Sequence, residues 1–126
     1  MELDELTGEI IDAAINIHRE LGPGLLESVY EKVLAFELNQ RGFLVERQVS
    51  IPVNYKGIFM GIGFRVDLLV EKSVIVEIKS VELITPVFKK KTISYLKLMN
   101  LKVGLLINFN VELLKHGITR LINNQH

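Results

Sequence analysis

The amino-acid sequence predicts one α/β domain, a mixed β-sheet flanked by helices, with the element order α-α-β-β-β-α-β-β. Three observations lead to this prediction. Two helical patterns of apolar residues precede residue 42. Residues 64–79 form a predicted strand pair with apolar side chains on both faces, which is typical of a sheet covered by helices. A further helical pattern separates two apolar strands, as in a parallel crossover.

The composition bounds the class of protein. A chain of 126 residues with 48% hydrophobic and 24% charged residues is long enough for one core, so residues 1–126 are expected to form a single domain. The absence of cysteine excludes disulfides and thiolate metal sites, and His18, His116 and His126 show no ligand spacing. The acidic start argues against a signal peptide, and no apolar stretch is long enough to span a membrane. A cytoplasmic protein without membrane contact is therefore expected.

Net charge is zero, but it is unevenly distributed. Residues 1–40 hold nine acids and two bases, whereas the rest of the chain holds six acids and thirteen bases. This asymmetry indicates either a basic face for a polyanion or an acidic segment docked on a basic one, and the sequence does not separate the two.

The first two elements are predicted helices. Apolar residues at helical spacing mark residues 5–21, which Gly22-Pro23-Gly24 terminates. The second helix covers residues 26–41 and ends at Gly42. Glu27 lies in its first turn, where an acid complements the helix dipole, or where it points back at whatever the preceding loop covers.

Three strands follow. Residues 45–55 alternate loosely, and Pro52 indicates an edge strand or a bulge. Lys56-Gly57 forms a turn into residues 58–70, which pair as a hairpin with residues 74–80.

The chain then continues with a helix and two strands. Thr85-Pro86 begins a helix that extends to about Asn100. Its run Lys89-Lys90-Lys91 opposes the helix dipole, so it is either a solvated face or a phosphate contact. The apolar run 103–109 is predicted to be a buried strand parallel to 74–80, and 117–122 a last short strand.

The hairpin carries the charged residues of most interest. If Glu71-Lys72-Ser73 is a three-residue turn, Asp67 lies opposite Glu77, and Lys79 shares their face. Unpaired charges are expensive in a nearly buried strand pair. Two facing carboxylates offer hard oxygen ligands for Mg²⁺ or Mn²⁺. The alternative is an Asp–Lys–Glu ion-pair cluster where the strands reach solvent.

Residues 24–30, Gly-Leu-Leu-Glu-Ser-Val-Tyr, match the G-x-x-E-x-x-Y signature, and the chain resembles the GxxExxY protein family. That family is similar to the PD-(D/E)XK nuclease superfamily, whose restriction-endonuclease-like fold is a mixed sheet flanked by helices. The resemblance covers nearly the whole chain, because the signature, the Asp, the Glu-x-Lys and the strand Leu106-Ile107-Asn108-Phe109 occur in the right order.

The resemblance implies roles for individual residues. Asp67, Glu77 and Lys79 match the superfamily motif, and Glu27 resembles an acid on the preceding helix that serves as a further metal ligand. Tyr95 matches the tyrosine of a Q-x-x-x-Y element. The sequence departs from the pattern where Lys91 stands in place of the glutamine. Lys91 is then either an internal cation beside the acids or a solvent-exposed lysine.

The implied function is Mg²⁺- or Mn²⁺-dependent hydrolysis of a nucleic-acid phosphodiester. Glu27, Asp67, Glu77 and the Ile78 carbonyl would hold the metal, and Lys79 would position water or offset charge. The basic helix would contact nucleic acid through Lys89, Lys90, Lys91 and Tyr95. The alternatives are a weakly active or inactive nuclease-fold domain that binds nucleic acid, or an interaction subunit with a homodimeric or other protein partner.

Overall fold

The computed structural model describes residues 1–124, so His126 lies outside the described range. Every predicted helix and strand is present within two residues of its expected ends. The elements are α1 (Leu3–Leu21), α2 (Glu27–Gln40), β1 (Val45–Tyr55), β2 (Ile58–Val70), β3 (Val74–Lys79), α3 (Pro86–Met99), β4 (Val103–Asn108) and β5 (Ile118–Ile122). A short 3-10 helix, Leu114–His116, precedes β5 and was not predicted.

The five strands form one mixed sheet in the order β1-β2-β3-β4-β5. β3 and β4 are parallel, and the other neighbouring pairs are antiparallel. The predicted fold class and the predicted parallel pairing are therefore confirmed. The hairpin register is also as predicted, since Val70 pairs with Val74 across a turn in which Ser73 N–H donates to Val70 O at 2.9 Å.

Helices cover both faces of the sheet, as the two-sided apolar hairpin predicted. α1 and α2 pack on one face, where Leu68, Val76 and Leu105 belong to the larger core cluster. α3 packs on the other face, where Leu96 contacts a smaller cluster that includes Leu69 and Ile75. The charged hairpin residues that follow Ile75 are thus directed toward the α3 side.

The β1–β2 hairpin extends beyond the end of β3. Its β1 is an edge strand, and the register shifts on both sides of Pro52, so the two predicted consequences of this proline are both present. β3 pairs with β2 only at residues 68–70, so the distal hairpin is two-stranded. Apolar side chains such as Phe59, Met60 and Ile62 are exposed there.

Ion pairs between the acidic first forty residues and later arginines neutralise part of the uneven charge. Arg41 contacts Glu9, Asp12 and Glu37, each within 3.4 Å. Arg47 and Arg120 likewise contact acids of the first forty residues. The acidic segment is therefore docked on arginines of the later segment.

The lysines of α3 differ from these arginines, because none of them pairs with an acid of residues 1–124. These lysines are Lys89, Lys90, Lys91 and Lys97, and all are exposed. Four of the described basic residues that lack an ion pair therefore lie on this one helix. Over the part of the chain described, no helix combines the length and the apolar character needed to span a membrane.

Candidate active site

Asp67 and Glu77, hereafter the acid pair, lie where β2 and β3 separate. The last paired residues before them are Leu68 and Val76. Beyond this point each carboxylate binds a backbone N–H of the other strand. Ile78 N–H donates to Asp67 Oδ2 at 2.7 Å, and Asp67 N–H donates to Glu77 Oε1 at 3.3 Å. The predicted proximity of the two acids is therefore present, and their side chains replace the strand-to-strand backbone bonds.

Glu77 lies in an environment that opposes its ionisation. The residue is 6% exposed, and burial raises the pKa of its carboxyl to about 8, with the neighbouring Asp67 charge as the next cause. The positive charge of Lys79 lowers the pKa of Glu77, because it favours the ionised carboxylate. Near neutral pH the raised pKa of Glu77 therefore favours its protonated form.

Lys79, the lysine of the Glu-x-Lys triplet, is half-buried at the end of β3. Its Nζ lies 4.9 Å from the centroid of the Phe88 ring at the start of α3. Among residues 1–124 it forms no ion pair with a carboxylate. The Asp–Lys–Glu ion-pair cluster, the alternative to a metal site, is therefore not formed, since the ammonium rests on an aromatic face.

Glu27 lies in the first turn of α2 and reaches the end of β3. Its Oε2 accepts the Ser80 N–H at 3.0 Å, and Ser80 Oγ donates to Leu25 O at 2.7 Å. The sequence alternative in which Glu27 points back over the loop is the one found. A groove adjoins this contact, lined by Gly24, Leu25, Leu26, Glu27, Ser28, Ser80 and Asn110.

Tyr30, the last residue of the G-x-x-E-x-x-Y signature, is buried and holds the elbow before α2. Its hydroxyl donates to Gly22 O at 2.6 Å and accepts the Leu25 N–H at 3.1 Å. Its ring stacks on Phe109 with centroids 4.3 Å apart. Because Leu25 in turn binds Ser80, the tyrosine fixes the loop from which Glu27 projects.

α3 presents one side to the acid pair and another to solvent. Tyr95 is half-buried against Phe64, and its pKa is raised by burial first and then by the charges of Glu77 and Asp67. Tyr95 therefore faces the acid pair. Lys91 is exposed and unpaired, as described above, so the solvent-exposed alternative for this lysine is the one found.

Three residues that the sequence analysis did not single out also contribute. The carboxylate of Glu31 on α2 is buried and accepts hydrogen bonds from Arg47 Nε and Nη2 at 3.1 and 3.0 Å. Gln48 Nε2 donates to Glu31 Oε1 and, at 3.3 Å, to Asp67 Oδ1. Two signals were available, because Glu31 lies one helical turn after Glu27, and Arg47 occupies an otherwise apolar position of the alternating β1 pattern.

The predicted metal ligands are only partly brought together. The acid pair is in contact, and Ile78 adjoins it through its N–H bond to Asp67. Glu27 is held at Ser80, and among residues 1–124 no three Asp, Glu or His side chains are grouped as metal ligands. Two adjacent carboxylates, one of them buried, still fit Mg²⁺ or Mn²⁺, because Mg²⁺ commonly uses one or two protein carboxylates with water and phosphate oxygens.

Comparison with known proteins identifies one family. A family model described as the PD-(D/E)XK nuclease superfamily matches residues 4–121. No curated protein and no solved structure matches the chain. The match includes every residue of the site described above and reaches from the first turn of α1 into β5, and it does not by itself confirm the narrower GxxExxY family.

Proposed function

The chain belongs to the PD-(D/E)XK nuclease superfamily, and we propose that it is a Mg²⁺- or Mn²⁺-dependent phosphodiesterase acting on nucleic acid. The observation that carries this proposal is the acid pair. Ionisation of a buried Glu77 beside Asp67 is unfavourable, as its raised pKa indicates, and a divalent ion bound between the two carboxylates would offset that cost. Such a pair is an expensive arrangement for a purely structural strand end.

In this proposal the acid pair and the Ile78 carbonyl hold the divalent ion, and Glu27 adds a further oxygen. When bound, the ion would polarise the phosphodiester and lower the pKa of an attacking water. Glu27 is exposed, and among residues 1–124 its carboxylate accepts one hydrogen bond, from Ser80 N–H, so it can be redirected toward the ion at little cost.

Lys79 is assigned the role of contacting the attacking water or the reacting phosphate. Its ammonium adjoins the acid pair, as its effect on the pKa of Glu77 indicates, but the Phe88 ring holds it away from both carboxylates. A lysine held by a cation–π contact keeps its donors available, so Lys79 would orient the water or stabilise charge that develops on the phosphate.

The nucleic-acid contact is assigned to α3. Lys89, Lys90 and Lys91 are exposed and lack acidic partners among the described residues, so they can bind phosphates without first breaking ion pairs. Tyr95 lies on the same helix and faces the acid pair. A phosphodiester bound along α3 would therefore lie next to the acids.

A second candidate is a nuclease-fold domain that binds nucleic acid without hydrolysing it. It is favoured by Lys91, which replaces the glutamine of the Q-x-x-x-Y element, and by the contact that holds Glu27 at Ser80.

With either candidate function, we also propose that the chain is a member of the GxxExxY family. Its support is that Glu27 and Tyr30 act together, since the tyrosine fixes the loop that carries the acid.

The deciding experiment incubates the purified protein with single- and double-stranded DNA and RNA in Mg²⁺, Mn²⁺ or EDTA, with Asp67→Ala as the matched inactive variant. Hydrolysis that requires both the metal and Asp67 supports the phosphodiesterase. A salt-dependent mobility shift without metal-dependent cleavage supports the binding domain. The absence of both would overturn the two nucleic-acid functions and leave an interaction subunit.

A further inference from the structure

We propose that Gln48 is a positioning residue that fixes the orientation of the Asp67 carboxylate by linking it to a buried ion pair between Glu31 and Arg47. These three residues, Arg47, Glu31 and Gln48, are called the α2–β1 network. The inference that this orientation serves metal binding rests on the proposed function. The orienting effect itself does not, and it can be measured without metal.

The fixed end of the network is Glu31. Its side chain is 8% exposed, and Arg47 donates to Oε2 through both Nε and Nη2. A buried carboxylate with two guanidinium hydrogen bonds has a defined orientation, because rotation would break charge-assisted bonds in a desolvated position. The remaining oxygen, Oε1, is directed at Gln48. The ion pair therefore provides a rigid acceptor on α2.

The Gln48 amide connects this acceptor to Asp67. Its Nε2 donates to Glu31 Oε1 and to Asp67 Oδ1, so its two hydrogens satisfy two different carboxylates. The opposite amide orientation would direct a carbonyl oxygen at two anions, which fixes the assignment of nitrogen and oxygen. Ile78 N–H binds the other oxygen of Asp67, Oδ2. Both oxygens are therefore held, and the carboxylate plane cannot rotate freely.

The backbone of β1 is distorted at Gln48, next to Asp67. Gln48 adopts φ of 52°, a left-handed conformation that non-glycine residues rarely occupy. The β1–β2 register pairs Arg47 with Leu68 and Val49 with Val66, but it omits the pair between Gln48 and Asp67. Unusual backbone conformations persist when surrounding contacts impose them, and they concentrate at functional sites.

A consequence of this distortion is a change of face along β2. Val66 packs in the smaller cluster with Leu69, whereas Leu68 packs in the larger cluster on the other side of the sheet. In a regular strand, residues 66 and 68 would share a face. Asp67 therefore lies at the point where the strand changes face, and Gln48 is the residue beside it that binds its side chain.

The direct test is metal-free hydrogen exchange at the Ile78 amide, measured by nuclear magnetic resonance. Gln48→Met keeps the side-chain length but removes both N–H donors, and Gln40→Met makes the same change at an exposed position on α2. A carboxylate released by Gln48→Met should protect the Ile78 N–H less well, so exchange should accelerate by about fivefold or more, while Gln40→Met leaves it unchanged.

Two further measurements separate orientation from general destabilisation. The amide of Leu105, in the centre of the sheet, reports global opening, so its exchange should change little if Gln48→Met acts locally. Gln48→Lys, which restores N–H donors at this position, should return the Ile78 exchange rate toward that of the wild type. Unchanged Ile78 exchange in Gln48→Met, or equal acceleration at Ile78 and Leu105, would overturn the positioning role.

The link to function is tested by calorimetric titration with Mn²⁺. Residues that orient metal ligands typically change affinity by about 10- to 100-fold, so Gln48→Met should bind Mn²⁺ at least about tenfold more weakly than wild type and Gln40→Met. Equal affinities would overturn the proposed consequence for metal binding. If the wild type binds no Mn²⁺, the proposed function fails, and Ile78 exchange still decides whether Gln48 positions Asp67.

Discussion

Glu77→Gln provides a quantitative test of the acid pair, because an amide resembles the protonated carboxylic acid that the structure favours. The amide oxygen can still accept the Asp67 N–H, and the amide nitrogen can donate to the Asp67 carboxylate as a protonated Glu77 would. Asp67→Asn is a less direct test, since both oxygens of Asp67 accept hydrogen bonds and an amide NH₂ would face a donor.

The expected magnitude follows from the two pKa values of Glu77. Its pKa is raised from 4.5 to about 8 in the folded protein, so over this range the folded state binds more protons than the unfolded state. Stability contributed by this residue therefore falls as pH rises through this window. The raised pKa of Glu77 lowers the free energy of unfolding by about 1 kcal/mol at pH 5, about 3 kcal/mol at pH 7 and about 4 kcal/mol at pH 8.

The assay is urea denaturation of the wild type and Glu77→Gln from pH 5 to pH 9 in EDTA. The difference in the free energy of unfolding should grow in favour of the variant by about 3 kcal/mol between pH 5 and pH 8 and then level off. Taking the difference cancels the titration of groups common to both proteins. A difference that stays constant with pH, or a variant that is less stable at pH 8, would refute the argument that Glu77 is buried beside an uncompensated Asp67.

Three further outcomes are expected. Leu105→Ala should cost about 2–5 kcal/mol in urea denaturation, because Leu105 is fully buried in β4, and a loss below about 1 kcal/mol would contradict this position. Tyr30→Phe should cost about 1–3 kcal/mol by the same assay, because the Gly22 carbonyl and Leu25 N–H lose their hydroxyl partner, and an unchanged midpoint would contradict this elbow contact. Lys91→Gln should leave Mn²⁺ affinity unchanged and reduce the salt slope of duplex-DNA binding by about one, and tighter Mn²⁺ binding would instead show that Lys91 competes with the metal.

The sequence predicted those parts of the site that local rules determine. The length of the turn at Glu71-Lys72-Ser73 sets the Val70–Val74 register, and this register brings Asp67 beside Glu77. Apolar periodicity predicted the element order and the coverage of both sheet faces, because burial of alternate strand residues is a property of short segments.

The parts that were not predicted depend on side-chain contacts between distant segments. The bond from Gln48 to Glu31 joins β1 to α2, and its approach to Asp67 requires a left-handed residue inside a strand, which no propensity indicates for glutamine. The contact of Lys79 with Phe88 depends similarly on where α3 begins relative to β3. Charge patterns alone favoured an ion pair there, and packing against the aromatic ring replaced it.

The most direct test of the central claim, that the acid pair holds a divalent cation, is calorimetric titration of the wild type and Asp67→Ala with Mn²⁺ in buffers of different ionisation enthalpy. With the pKa of Glu77 at about 8 in the folded protein, metal binding to the wild type should release about one proton at pH 7 and about a quarter of a proton at pH 8.5. Asp67→Ala should lose most of the affinity. Equal isotherms for the two proteins, or binding to the wild type without proton release at pH 7, would contradict the claim.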